Sequence, residues 1–168
     1  MRPLWPFLLL AIVIGECSAT VQAQATYVLK ESAPRVGSQI KVEILRSPLP
    51  FDKSYEELTA AQIAVLRANY DHLAVDDEPP FPDGGMARIA TEISRLAHNP
   101  MAHGPLVLTV HVDERGVARS TAIYKTPDDG FASAIAAIVV KAKYKPAKCA
   151  GTPCVMDFPF IFDVGTPD

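Results

Sequence analysis

The stretch that decides the fold spans residues 104–164 and reads GPLVLTVHVDERGVARSTAIYKTPDDGFASAIAAIVVKAKYKPAKCAGTPCVMDFPFIFDV. Leucine or valine stands at every second position from Leu106 to Val112, and this period of two predicts a β-strand with one apolar face. The turn that follows ends at Gly116, and glycine adopts the left-handed conformation that closes such turns. We therefore predict that residues 117–125 return as the antiparallel partner strand.

The period then changes to that of a helix. Thr126 is the predicted N-cap and Pro127 the first helical residue, with Asp128 and Asp129 at the positive end of the helix dipole. Apolar residues recur at helical spacing at Phe131, Ile135, Ile138, Val139 and Ala142. This pattern predicts an amphipathic helix that lies on the sheet.

A turn and a last strand follow the helix. Residues 150–153 have turn composition, and residues 154–164 are predicted to form the last strand. One face of the last strand carries Met156, Phe158, Phe160, Phe162 and Val164. We predict an α+β fold, a two-layer core in which a three-stranded antiparallel sheet packs with helices.

The order of these motifs resembles the C-terminal domain of TonB, the periplasmic energy-transducing protein. The similarity rests on the turn at 112–116, the helix opened by Phe131, the Tyr-Lys-Pro-Ala at 144–147 and the Gly-x-Pro before the aromatic strand. It also includes the Pro-Pro-Phe-Pro at 79–82 and the helix after it. The resemblance implies a TonB-like domain over residues 79–164, about half the chain, preceded by an N-terminal extension over 26–78.

The resemblance implies a domain that binds a peptide and has no catalytic activity. In that family a short segment of an outer-membrane receptor adds to the sheet as a further strand, along the C-terminal strand. Carried onto this chain, the candidate peptide-binding residues on that edge are Val155, Asp157, Phe158, Phe160 and Phe162.

The composition of the last strand leaves a second interpretation open. Pro159 removes one backbone donor, which an edge strand tolerates, and Asp157 and Asp163 are typical of an edge protected against unwanted pairing. The alternative function is therefore a stand-alone structural or inhibitory domain whose edge is blocked.

Residues 1–25 have the pattern of a secretory signal peptide. Arg2 gives a positive start, residues 7–14 are apolar, and Ala23 and Ala25 are small residues at the spacing that signal peptidase reads. The apolar run falls short of the roughly 20 residues of a spanning helix. We expect cleavage, a periplasmic location and no membrane anchor, whereas a true transducer carries an anchor and a long proline-rich spacer.

Two cysteines would remain after cleavage, Cys149 and Cys154. The Ala-Gly-Thr-Pro between them is turn chemistry, so an exported chain is expected to join them by a disulfide across a hairpin. A redox pair would have two intervening residues, and a structural zinc site would need further ligands.

The extension has weaker signals. Residues 27–31 and 39–45 are predicted short strands, and residues 47–51 a rigid extended linker. Thr59 and Gln62 form a capping box that predicts a helix over 59–72. Asp83 is the predicted cap of a second helix, whose apolar positions are Met86, Ile89, Ile93 and Leu96.

Charge and motifs favour a binding protein over an enzyme. The formal net charge of −3 argues against nucleic acid or an anionic membrane as the main partner. Pro100 breaks the helix between His98 and His103, which argues against a metal site there. The acidic residues 76–78 lack the pattern of a calcium-binding loop. The neighbours Asp113 and Glu114 are explained by turn propensity without a role as paired catalytic carboxylates. Nucleophile-elbow and phosphate-loop motifs are absent from the sequence. We expect no metal, no cofactor and a protein or peptide partner, with a small hydrolase in the upstream half as a third alternative.

Overall fold

The computed structural model describes residues 27–30, 43–97 and 103–165, with side-chain surroundings for 45–97 and 103–165. Its helices are α1 (Ala60–Arg67), α2 (Ala87–Leu96) and α3 (Asp129–Lys141), with a short 3₁₀ helix at Tyr55–Glu57. None of these helices is long and apolar enough to cross a membrane. The described strands are β1 (Tyr27–Lys30), β2 (Glu43–Ser47), β3 (Phe81–Pro82), β4 (Gly104–Val112), β5 (Ala118–Lys125), β6 (Tyr144–Lys145), β7 (Ala147–Cys149), β8 (Thr152–Cys154) and β9 (Met156–Val164).

In the described part of the chain the main sheet has five strands in the order β1-β2-β9-β4-β5, all antiparallel. The mixed α/β class is confirmed, whereas the three-stranded sheet is a wrong prediction. The two additional strands belong to the N-terminal extension, and β2 pairs with β9 at Leu45 opposite Val164 and Arg46 opposite Asp163. The extension therefore lengthens the sheet that the C-terminal half begins.

The core lies between one face of the sheet and the helices. Strands β4 and β9 pair over their full length, from Gly104 opposite Val164 to Val112 opposite Met156. Alternate side chains of both strands are buried, and the polar residues between them face outward, so the predicted period of two is confirmed. Apolar side chains of α2 and α3 cover this face, and they include Ile89, Ile93, Phe131, Ile135 and Val139.

Helix α3 begins later than the sequence predicts. Asp128 is its N-cap, and its Oδ1 accepts a hydrogen bond from the backbone N–H of Phe131. Thr126, the predicted cap, instead bonds through its hydroxyl to the backbone of Asp128. Both residue types are good caps, and Asp128 has the extended backbone that an N-cap residue adopts.

Two further helix limits differ from the predictions. The Thr59–Gln62 capping box of α1 is confirmed, but the helix ends at Arg67, where the Asn69 side chain binds the carbonyls of Val65 and Leu66. Helix α2 starts at Ala87 without a side-chain cap, so Asp83 does not have its predicted role. Asp83 lies in the preceding turn, where its N–H donates to the carbonyl of Lys143.

The predicted linker at 47–51 is part of the core. Leu49 and Phe51 are buried, as are Leu58 and Leu66 farther along the extension. All four belong to the same hydrophobic cluster as the apolar residues of β4 and β9. The predicted signal peptide, and most of the predicted strand at 39–45, lie outside the described residues.

Candidate binding edges of the sheet

The predicted peptide-binding strand is not at the border of the sheet. Strand β9 has β4 on one side along its whole length and β2 on the other side at its C-terminal end. Phe158, Phe160 and Phe162 are at most 3% exposed and pack edge-on or tilted against one another and against Tyr144. Their side chains therefore form the core and are not available to a ligand.

Among the described residues, the outer side of β9 is open in the middle of the strand. In an antiparallel sheet the backbone groups of successive residues point to opposite sides. The carbonyl of Asp157 accepts a hydrogen bond of 2.8 Å from the Tyr70 hydroxyl, which places the odd-numbered residues of β9 on the outer side. Pro159 has no N–H to offer there, and Asp163 faces β2. An added strand would find one complete pair of backbone groups, at Ile161.

The N-terminal extension covers both ends of this opening. At one end the ring of Phe51 lies 6.0 Å from that of Phe162, next to the β2 pairing. At the other end burial raises the pKa of the Tyr70 hydroxyl far above its ordinary value, and the Asp157 carboxylate adds to the shift. The hydroxyl therefore stays protonated and keeps donating to the β9 backbone.

The acidic residues 76–78 at the end of the extension contact residues 145–148, which precede β9. Glu78 exchanges two backbone hydrogen bonds with Lys148, and its carboxylate pairs with Lys145 at 2.7 Å and Lys148 at 3.4 Å. The Lys145 bond is the main reason why the pKa of Glu78 lies below its ordinary value. The Lys145 ammonium also lies 4.0 Å from the ring centre of Tyr55. These contacts hold the Glu78 carboxylate between two lysine side chains.

Cys149 and Cys154 lie at disulfide distance, with their Cα atoms 5.8 Å apart. They close the hairpin of β7 and β8, whose loop is Ala150–Gly151 with positive φ at both residues. The two cysteines are diagonal across the hairpin, since Cys149 pairs with Thr152. Val155, the first predicted binding residue, follows this hairpin and is 48% exposed.

The border of the sheet on the other side is β5. This strand contains two bulges, because Arg119 and Tyr124 are extra residues relative to β4. Regular pairing covers residues 120–123 between them. The backbone groups of the even-numbered β9 residues point to β4, and those of their partners Leu108 and Val110 point back to β9. Ile123 and Thr121 lie opposite Leu108 and Val110 on the other side of β4, so their backbone groups point away from β4. In the described part of the chain no strand pairs with these groups.

A Ser-His-Asp row crosses the open face of the sheet, and the sequence analysis missed it. His111 lies between Ser120 and Asp157 on the neighbouring strands, and its Nδ1 is 2.8 Å from the Asp157 carboxylate. Among the described residues Ser120 makes no hydrogen bond to the imidazole, and both charged side chains are about half exposed. A catalytic triad needs that bond, a pocket and oxyanion donors. The row therefore supplies an exposed contact between an imidazole and a carboxylate.

The remaining polar features of the described residues are one histidine contact and one shallow groove. His103 contacts the carbonyl of Gly165, and His98 lies outside the described residues. Within residues 45–97 and 103–165 no three metal-binding side chains converge. A polar groove of about 310 Å³ opens at the start of α2, between Arg88 and Lys143, but both cations are exposed on its rim.

Comparisons with known proteins do not assign the chain to a family. No family model, no curated protein and no solved structure matches it. In the described residues the border strands of the sheet are β1 and β5, whereas the inner strand β9 has an opening on one side that the extension covers in large part.

Proposed function

We propose that this chain is a non-enzymatic, exported TonB-like protein that binds a protein or peptide partner by strand addition, as an accessory to envelope transport. The observation that carries the proposal is the antiparallel sheet with backbone groups at Ile161 on β9 and at Thr121 and Ile123 on β5 that no strand of the described residues pairs with. An extended segment gains affinity from such groups through main-chain hydrogen bonds, whatever its sequence.

The proposal is tested by photo-crosslinking in the organism that makes the protein. A photoreactive amino acid replaces Ser120 beside the β5 edge, Asp157 beside the β9 edge, or Thr91 on the exposed side of α2 as the control. We expect a discrete adduct from at least one edge position and none from Thr91. Equal adduct patterns at the three positions, or none at all, contradict strand addition.

A second candidate function is favoured by the contacts of the extension. Strand β2, Phe51 and Tyr70 cover the outer side of β9, which is where the resembled family takes its peptide. A structural or inhibitory domain with a blocked edge would make the same contacts. If this second function is correct, we expect no adduct at Asp157 and no change in the amide hydrogen exchange of Ile161 when envelope extract is added. Saturable protection of the Ile161 amide from exchange would contradict it.

A further inference from the structure

Residues 68–78, which we call the strap, connect α1 to the segment before β3 and are held mainly by polar contacts. Each of these residues is at least partly exposed. Near its start the Tyr70 hydroxyl donates to the Asp157 carbonyl of β9, and at its end Glu78 exchanges two backbone hydrogen bonds with Lys148 of β7. A segment that buries few side chains opens at a low free energy, so these polar contacts determine whether the strap stays across β9.

The carboxylate of Asp77 joins the strap to the hairpin that carries the two cysteines. Its Oδ1 accepts a hydrogen bond of 3.1 Å from the N–H of Ala150 in the hairpin loop, and its Oδ2 accepts one of 3.3 Å from the N–H of Ala74. The Arg67 guanidinium donates to the carbonyls of Ala74 and Asp77, and the Arg67 carbonyl accepts from the N–H of Tyr70. A continuous set of contacts therefore runs from the hairpin loop to the residue that covers β9.

The bond between Cys149 and Cys154 holds the hairpin loop in the shape that the strap binds. Ala150 has a φ of +48°, a left-handed conformation that residues with a Cβ rarely adopt, and its N–H is the donor to Asp77. The hairpin strands β7 and β8 have three residues each, and a two-stranded hairpin is marginally stable by itself. The covalent ring therefore stabilises the loop on which the end of the strap depends.

We propose that the pair Cys149 and Cys154 is a redox switch for the opening on β9. In the oxidised state the hairpin holds the strap in place, and reduction of the pair releases the end of the strap and withdraws the Tyr70 hydroxyl from the Asp157 carbonyl. The inference rests on the proposed function, since it states when the β9 side is free to accept an added strand.

The reductant that the switch requires is a protein dithiol. One of its thiolates attacks a sulfur of the pair and forms a mixed disulfide, and its second thiol then displaces the remaining cysteine. The two electrons and two protons of the dithiol pass to Cys149 and Cys154, which become thiols, while the reductant becomes a disulfide. Both cysteines are partly exposed and the loop residues 150–153 are exposed, so the pair is accessible to such a protein.

The experiment is amide hydrogen exchange, followed by NMR, on the full chain with Cys17→Ser, with and without dithiothreitol. We expect reduction to speed exchange at least about tenfold at the amides of Glu78, Lys148 and Ala150. The ring signals of Tyr70 should shift, whereas the amides of β4 should keep their exchange rates. A variant with serine at both hairpin cysteines should behave like the reduced protein and should not respond to dithiothreitol.

Asp77→Ala tests the connection between hairpin and strap without changing a cysteine. In the oxidised protein it removes both carboxylate acceptors, so it should speed exchange at Ala150 and shift the Tyr70 ring signals. Asp76→Ala, the same change at the exposed neighbouring residue, should do neither.

Three results would overturn the inference. Unchanged exchange at Glu78 after reduction would show that the strap holds without the bond between the cysteines, and unshifted Tyr70 signals would show that the β9 opening does not respond. Faster exchange throughout β4 would show that the bond supports the whole fold. The crosslinking experiment decides the proposed function separately, because it compares positions on the two edges whatever the state of the cysteines.

Discussion

The two sides of the β4–β9 pair differ in how they limit the addition of a further strand. A strand at the border of a sheet exposes unpaired backbone groups, which attract other chains. On the β9 side the extension covers most of these groups with β2, buried apolar side chains and the Tyr70 hydroxyl. On the β5 side two bulges limit regular pairing without covering the strand. The first side is closed by packing and the second is restricted by its geometry.

The largest expected effect tests whether the extension is part of the core. Phe51→Ala removes a buried ring beside Phe162 and should cost about 3–5 kcal/mol of unfolding free energy, measured by urea denaturation. Tyr124→Ala, on the exposed side of β5, should change stability by only about 0.5 kcal/mol. Equal losses from the two truncations would contradict the contrast between the two sides.

The next effect tests how β5 is held. Gly116 closes the β4–β5 turn at φ +77°, and a Cβ there would lie 2.0 Å from the carbonyl oxygen of Tyr144. Gly116→Ala should therefore cost about 3 kcal/mol, from left-handed strain and overpacking together. Gly151→Ala is the matched control, since φ is +81° there with no atom within 4 Å, and should cost about 1–2 kcal/mol. Thermal unfolding of both variants compares them, and similar losses would mean that the Tyr144 contact is unimportant.

A smaller effect tests the hydrogen bond at the end of the β9 opening. Tyr70→Phe removes the donor to the Asp157 carbonyl and should destabilise the protein by about 1 kcal/mol. Tyr124→Phe removes a hydroxyl from an exposed ring on β5 and should leave the denaturation midpoint unchanged. A neutral Tyr70→Phe would show that water replaces the hydroxyl without loss.

The smallest effect is a pH dependence on the β5 side. Backbone N–H groups, above all that of Val117, and the Arg119 guanidinium hold the pKa of Asp113 below its ordinary value. The ionised carboxylate therefore adds stability above the ordinary carboxyl pKa, and this contribution is lost as the pH falls through the lowered folded value. Asp113→Asn should unfold more easily than the wild type at neutral pH, and the difference should shrink in acid.

The control for this pH effect is Glu114→Gln, which removes an exposed carboxylate from the same turn. Its stability relative to the wild type should not follow the Asp113 profile. A difference between Asp113→Asn and the wild type that stays constant from neutral pH to acid would contradict the role of the ionised group.

The strands and the helix of the C-terminal half can be predicted from local sequence pattern, but the order of the strands in the sheet cannot. Alternation in β4 and β9 reports that one face of each strand is buried, and the apolar spacing of α3 reports the same for the helix. Alternation says nothing about which strands lie beside β9, since central and border strands of a one-sided sheet share it. The position of β2 depends on a pairing between Leu45 and Val164, which no local window contains.

The candidate site was less predictable than the fold because it depends on which strands lie side by side. The cysteine pair followed from the turn between the two residues, and the structure places them at disulfide distance. The aromatic row of β9 suggested a binding strip, whereas Phe158, Phe160 and Phe162 are core residues. The bulges of β5 arise from a mismatch in length between two strands, and the sequence of either strand alone does not contain it.

The position of β9 in the sheet also determines the order in which the protein can fold. This strand is the last of the described elements to leave the ribosome, yet it joins β4 to the first described strands. Until residue 164 has been made, β2 lacks the strand that it pairs with in the C-terminal half. The β4–β5 hairpin can form early, but the hydrophobic core assembles only after synthesis of this domain is complete, through contacts of high sequence separation that slow folding.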